Sequence, residues 1–194
     1  MTLKELYNIY GAERYGQDKF GQHYAELYDI IFAPFQDEDI NVFEVGYRDG
    51  GSARLWLDYF TKAKIWSIDI DPNTYQRHLD YTNNVDLIQS NFKIDSSRIN
   101  LTIIDSKDLT TDYFKGLEPT IAIDDGSHKL ADQINFVKTV YPVLKSGGLL
   151  IIEDVQDIDR DKPVFEGLGI PFYVADLRPK GGPNCDSVLV IYQK

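Results

Sequence analysis

Five short apolar runs, each ending in acidic residues, constrain the fold of this chain more than any other feature. They are "INVFEVG" (Ile40 to Gly46), "KIWSIDI" (Lys64 to Ile70), "INLTIID" (Ile99 to Asp105), "TIAIDD" (Thr120 to Asp125) and "GGLLIIED" (Gly147 to Asp154). Each is about the length of one strand, and near-continuous apolarity marks strands buried on both faces. Helical stretches lie between several of them: "GSARLWLDYF", with Leu55, Leu57, Tyr59 and Phe60 available for packing, then "PNTYQRHLDY" and "KLADQINFVKTVYPVL". This alternation predicts an α/β fold around a mostly parallel sheet covered on both sides. "PFYVADL" and "SVLVIYQ", joined by "RPKGGPN", predict a C-terminal antiparallel hairpin and bring the sheet to seven strands. "NVDLIQSNFKIDSSR" fits either a short extra strand or part of a helix.

Up to Phe35 the chain reads as aromatic-rich helices broken by glycine. In "HYAELYDIIFAPF", Tyr24, Leu27, Tyr28 and Ile31 share one helical face and read as packing, and Pro34 ends the pattern. The aromatic segment has two partners open to it, its own sheet or a second subunit, so a homo-oligomer is among the expectations.

Composition narrows the function classes. A chain of 194 residues suits one domain. The formal net charge of -11, with no basic block, argues against a nucleic-acid groove but not against a cationic ligand or a metal. No apolar run approaches the roughly 20 residues of a membrane span, and the N-terminus has no signal-peptide apolar region. Cys185 is the only cysteine, which excludes a disulfide scaffold or a cysteine-based zinc site and fits a reducing cytoplasm.

In open α/β sheets, ligands bind beyond the carboxyl ends of the strands. Here those ends carry Glu44 and Gly46, Asp69 and Asp71, Asp105 and Ser106, Asp124 and Asp125, and Glu153 and Asp154. One acid at a strand end is ordinary helix capping. Acids after all five strands suggest a ligand with hydroxyls and amines, plus a cation. The first turn, "FEVGYRDGGSARLW", has Gly46, Gly50 and Gly51, so it lacks the G-x-G-x-x-G that seats a dinucleotide pyrophosphate, and Glu44 would repel a phosphate. Asp69 follows Gly46 by 23 residues, close to the spacing of an acid that takes ribose hydroxyls. If Asp125, Glu153 and Asp154 converge, they demand a proton or a cation. An all-oxygen site suits Mg²⁺, with Mn²⁺ or Ca²⁺ as alternatives. His128 follows Asp125 near a helix start and can face the same site as a general base. Taken in isolation, it reads as a capping or surface histidine.

The segments "GQDK…HYAELYDIIFAPF", "FEVGYRDGGSARLW", "WSIDIDP", "AIDDGSH" and "SGGLLIIEDV" resemble the class I S-adenosylmethionine-dependent methyltransferases, with their Rossmann-like fold. More narrowly, they are similar to the metal-dependent O-methyltransferases that modify sugars of macrolide and aminocoumarin antibiotics. The resemblance runs from about Tyr15 to Val155, and its most specific part is IDDGSH followed, 25 residues after the histidine, by Glu-Asp. It implies one domain over 1–194, with residues 1–36 as a helical cap and 37–194 as the core. It implies Asp125, Glu153 and Asp154 as metal ligands and His128 as the general base. Glu44 and Gly46 would lie beside the methionine part of S-adenosylmethionine, Asp69 at the ribose, Asp105 and Ser106 at the adenine, and Asp124 at the cofactor ammonium. Asp18 and Lys19 match a segment that folds over the cofactor, where Lys19 could pair with its carboxylate. The family's threonine before the Asp-Lys pair is Gln17 here, its Gly-Asp-Gln adenine loop reads Ile104, Asp105, Ser106, and "NVDLIQSNFKID" looks inserted.

The expected activity is metal-assisted methyl transfer to a hydroxyl of a sugar or another small molecule, with diols and catechols favoured because two adjacent oxygens chelate the ion. Two other readings compete. A cofactor-binding partner without turnover needs no base, and a nicotinamide-dependent oxidoreductase is opposed by the glycine pattern.

Overall fold

The five apolar runs form the parallel part of one seven-stranded sheet. The computed structural model describes residues 1–15, 18–21, 23–74, 76, 96–178 and 187–194. The parallel strands are β1 (Asn41–Val45), β2 (Lys64–Asp69), β3 (Ile99–Ile103), β4 (Ile121–Asp124) and β5 (Leu149–Ile152); β6 (Phe172–Asp176) and β7 (Val188–Gln193) complete the sheet. Their order is β3-β2-β1-β4-β5-β7-β6. β7 runs antiparallel to both β5 and β6, so the hairpin inserts its second strand into the sheet and leaves β6 at the edge.

The order reverses between β1 and β4, which pair from Val42↔Ile121 to Val45↔Asp124. Such a switch point opens a crevice at the carboxyl ends of the strands, because the connections on its two sides leave in opposite directions. The ladder continues past the strands here. The Asp125 N–H donates to Val45 O at 3.1 Å and the Glu153 N–H to Asp124 O at 3.0 Å, drawing the acids of β4 and β5 beside the end of β1.

Helices cover both faces. One face packs against α1 (Leu3–Tyr15), α3 (Tyr24–Phe32) and α4 (Gly51–Tyr59). Its centre is an aromatic stack in which Tyr28 and Phe32 lie at 4.7 Å, with Trp56 edge-on to both. Leu55, Leu57, Tyr59 and Phe60 are buried there as expected, together with Trp56. The short α2 (Asp18–Gly21) leads into α3. The other face packs against α5 (Leu130–Val140) and α6 (Ile158–Glu166), with Phe43, Phe114, Phe136 and Phe165 in its core. Helix α6 had no counterpart in the sequence reading. Asp157 caps it, accepting from the Arg160 N–H at 3.1 Å, and it contains Pro163. The stretches read as "PNTYQRHLDY", "NVDLIQSNFKIDSSR" and "RPKGGPN" lie mostly outside the described residues.

Candidate active site

A cleft of about 800 Å³ lies at the switch point, within the usual range for small-molecule sites. Gly46, Asp69, Asp105, Ser106, Asp125, His128, Asp154 and Lys19 are among the residues that line it. Glu44, Asp124 and Glu153 are buried behind this wall. Asp18 opens α2.

Backbone turns build one side of the cleft. Gly46 has φ 96°, and a Cβ there would sit 2.2 Å from the carbonyl oxygen of Asp125, so only glycine lets the ends of β1 and β4 approach this closely. Asp69 at the end of β2 accepts from the backbone N–H of Arg48 at 2.7 Å and of Asp71 at 2.9 Å, which fixes its carboxylate against the first turn. Asp105 caps a 3₁₀ turn, accepting from the Lys107 N–H at 3.0 Å. Glu44 is held from behind by the Ser52 hydroxyl at 2.6 Å and the Trp56 indole N–H at 3.1 Å, both from α4.

Long side chains from distant parts of the sequence build the other side. Lys19 is 3% exposed and places Nζ 2.6 Å from Asp125 Oδ2, 2.6 Å from Glu153 Oε2 and 3.8 Å from Glu44 Oε1. Burial by itself would drive the ammonium toward its neutral form, but the three carboxylates outweigh it and hold the lysine charged. Two close carboxylates share that one ammonium and respond oppositely. Against the cost of burial, Lys19 and His128 hold Asp125 below the usual carboxylate range, whereas burial pushes Glu153 upward despite Lys19. Burial likewise lifts Asp124 to about 7; its Oδ1 accepts from the Gly126 N–H at 3.2 Å. Asp124 and Asp125 are therefore separated by strand alternation: the first is buried in its own turn, and the second faces Lys19 and the cleft.

Helix α3 reaches the same acids. The Tyr28 hydroxyl donates to Glu153 Oε1 at 2.6 Å, and the Tyr24 hydroxyl donates to Asp154 Oδ1. Both tyrosines are buried, and burial followed by the neighbouring carboxylate charges keeps both phenols protonated. Their role was missed in the sequence, where their positions on the apolar face explained them as packing.

Asp125, His128 and Asp154 each present one ligand atom, with the three atoms within 4.8 Å of one another. His128 Nε2 is 3.3 Å from Asp125 Oδ1 and 3.6 Å from Asp154 Oδ2. The hydrogen bond to Asp125 raises the imidazole pKa against partial burial, and Asp154 adds to the rise. His128 (φ 57°) and Asp154 (φ 52°) both adopt left-handed backbone conformations, at a cost of about 1 kcal/mol each. The donor set consists of hard oxygens and one imidazole in a cluster that already attracts an ammonium, so it fits a small divalent cation.

The structure superposes on solved methyltransferases. MycE methyltransferase from the mycinamycin pathway, in complex with Mg, SAH and mycinamycin VI, superposes with a TM-score of 0.71 at 20% identity, covering 100% of this chain and 54% of that one. The fold is that of the class I methyltransferases. Among curated sequences, the chain is 33% identical over 167 residues to 8-demethyl-8-alpha-L-rhamnosyl tetracenomycin-C 2'-O-methyltransferase of Streptomyces olivaceus, covering 80% of this chain and 39% of the relative. It is 26% identical over 158 residues to mycinamicin VI 2''-O-methyltransferase of Micromonospora griseorubida, covering 74% and 35%. The chain thus spans less than half the length of the curated relatives it matches. No protein-family model matches it. No helix among the described residues is long and apolar enough to cross a membrane.

Proposed function

We propose that the chain is an S-adenosylmethionine-dependent, divalent-metal-assisted O-methyltransferase acting on a hydroxyl of a sugar or a similar small molecule. The observation that carries this reading is the placement of Asp125, Asp154 and His128 on one wall of a cleft whose other wall is the Gly46 turn with Asp69. The relatives named above are O-methyltransferases, one of them named for a rhamnosyl compound, which supports the acceptor class. Residues 37–194 form the core and residues 1–36 the helical cap of one catalytic domain.

In this reading Gly46 and the buried Glu44 border the methionine part of the cofactor. Asp69 takes the ribose hydroxyls, and Asp105 and Ser106 border the adenine. Asp124 stands behind the turn nearest the cofactor ammonium. Asp18 and Lys19 belong to the segment that closes over the site. Asp125 and Asp154 would hold Mg²⁺ or Mn²⁺, with His128 beside them, while Glu153, the third ligand expected from the sequence, has its two oxygens bonded to Lys19 and Tyr28. Bound S-adenosylmethionine would supply a methyl carried on a positively charged sulfur, and the divalent ion would lower the pKa of the acceptor hydroxyl. His128 would take the hydroxyl proton as the acceptor oxygen bonds to the methyl carbon and the methyl–sulfur bond breaks, leaving neutral S-adenosylhomocysteine. Asp125 Oδ1, 3.3 Å from His128 Nε2, orients the imidazole and favours its charged form.

The test is methyl transfer from labelled S-adenosylmethionine to a panel of sugars, diols and catechols with Mg²⁺, repeated in EDTA. Transfer that EDTA abolishes and Mg²⁺ restores is expected. Transfer unaffected by EDTA would remove the metal. Binding of S-adenosylhomocysteine with no transfer to any acceptor would favour a non-catalytic cofactor-binding protein.

A further inference from the structure

Glu153 and Asp154 are consecutive, and in an extended chain their side chains would point to opposite faces. Yet both are reached from one helix, by phenols one turn apart on α3: Tyr28 bonds Glu153 and Tyr24 bonds Asp154. The left-handed backbone at Asp154 (φ 52°) provides the turn that brings its carboxylate to the same side. A non-glycine residue remains in that conformation only where its surroundings over-determine it.

Tyr24 supplies that constraint from two directions. Its hydroxyl donates to Asp154 Oδ1 and also accepts from the backbone N–H of Asp154 at 3.3 Å. One phenol oxygen thus ties the carboxylate and the amide of the same residue into a small ring. The ring system of Tyr24 is buried, at 1% exposure, and packs 6.0 Å from Tyr28, so the hydroxyl has little room to move. Meanwhile Asp154 Oδ2 lies 3.6 Å from His128 Nε2, on the cleft side.

We infer that Tyr24 is a positioning residue for the metal centre, acting through Asp154. The inference rests on the metal-assisted reading above. The hydroxyl fixes which oxygen of Asp154 turns inward and which faces the cleft, and it holds the strained backbone that makes this possible. Partners that orient a ligand in this way are commonly worth 10- to 100-fold in metal affinity or activity. The cap of residues 1–36 is then part of the metal centre, not only a cover for the sheet, because α3 supplies the group that aims a ligand.

The test is calorimetric titration of Mn²⁺ into the full chain as wild type, Tyr24→Phe and Phe32→Leu, with S-adenosylhomocysteine titrated into each. Tyr24→Phe keeps the ring and removes only the hydroxyl, and an increase of about 10- to 100-fold in the Mn²⁺ Kd is expected. Its S-adenosylhomocysteine Kd should remain within about twofold. Phe32→Leu perturbs packing on the same helix and should lower Tm without changing the Mn²⁺ Kd, which separates positioning from loosened packing. Equal Mn²⁺ affinity in wild type and Tyr24→Phe would overturn the inference alone. No Mn²⁺ binding by wild type would overturn it together with the metal-assisted reading. If Tyr24→Phe does not fold, 3-fluorotyrosine placed at position 24 provides a second measurement. Its single ¹⁹F resonance should shift on Mg²⁺ addition, with the Kd of a parallel calorimetric Mg²⁺ titration, and a resonance unmoved at saturating Mg²⁺ would overturn the inference.

Discussion

The two walls of the cleft are made by different means. On the Gly46–Asp69 wall, turns immediately following β1, β2 and β3 supply the groups, and their own backbone N–H groups fix the carboxylates. On the Asp125–Asp154 wall, the carboxylates are fixed by side chains more than 100 positions away, Lys19 for Asp125 and Tyr24 for Asp154. A site built from local turns survives many changes elsewhere in the chain. A site built from long-range pairs depends on the N-terminal helices docking in register.

That contrast can be broken at several points. The largest effect is expected for His128→Ala, which should lower methyl transfer about 10²- to 10⁴-fold, the usual contribution of a positioned general base. Its S-adenosylhomocysteine affinity, measured by calorimetry, should stay within about twofold because the other wall is untouched. Gly46→Ala comes next. It places a Cβ 2.2 Å from the Asp125 carbonyl oxygen at φ 96°, where β1 meets β4, so both walls move together. A loss of roughly 3 kcal/mol in denaturant unfolding is expected, with Mn²⁺ and S-adenosylhomocysteine binding both weakened. If only one ligand suffers, the walls are less connected than the close approach implies. The smallest effect is expected for Asp69→Asn, which should weaken S-adenosylhomocysteine about tenfold by removing a charge-assisted hydrogen bond, and leave Mn²⁺ affinity unchanged.

The local wall was the legible one. All seven strands could be read because each is a short apolar run, and the strand-end acids and the Gly46 turn follow directly from them. The long-range wall was legible only as a list of acids. Tyr24 and Tyr28 lie on the apolar face of α3, and periodicity accounts for their rings while saying nothing about their hydroxyls. Lys19 carried an expected role at the cofactor carboxylate; the structure places its ammonium among three protein carboxylates, a contact that no local spacing reveals. Helix α6 escaped notice for a different reason. Its buried apolar residues are Ile158 and Phe165, seven positions apart in a charged stretch that contains Pro163, too sparse for a periodic signal.

The most direct measurement is anomalous diffraction from a crystal grown with Mn²⁺ and S-adenosylhomocysteine. The expected result is one manganese peak between the Asp125 and Asp154 carboxylates, close to His128, with the nucleoside lying against Gly46 and Asp69 on the opposite wall. A filled nucleoside site with no manganese peak beside Asp125 and Asp154 would contradict the metal-assisted mechanism.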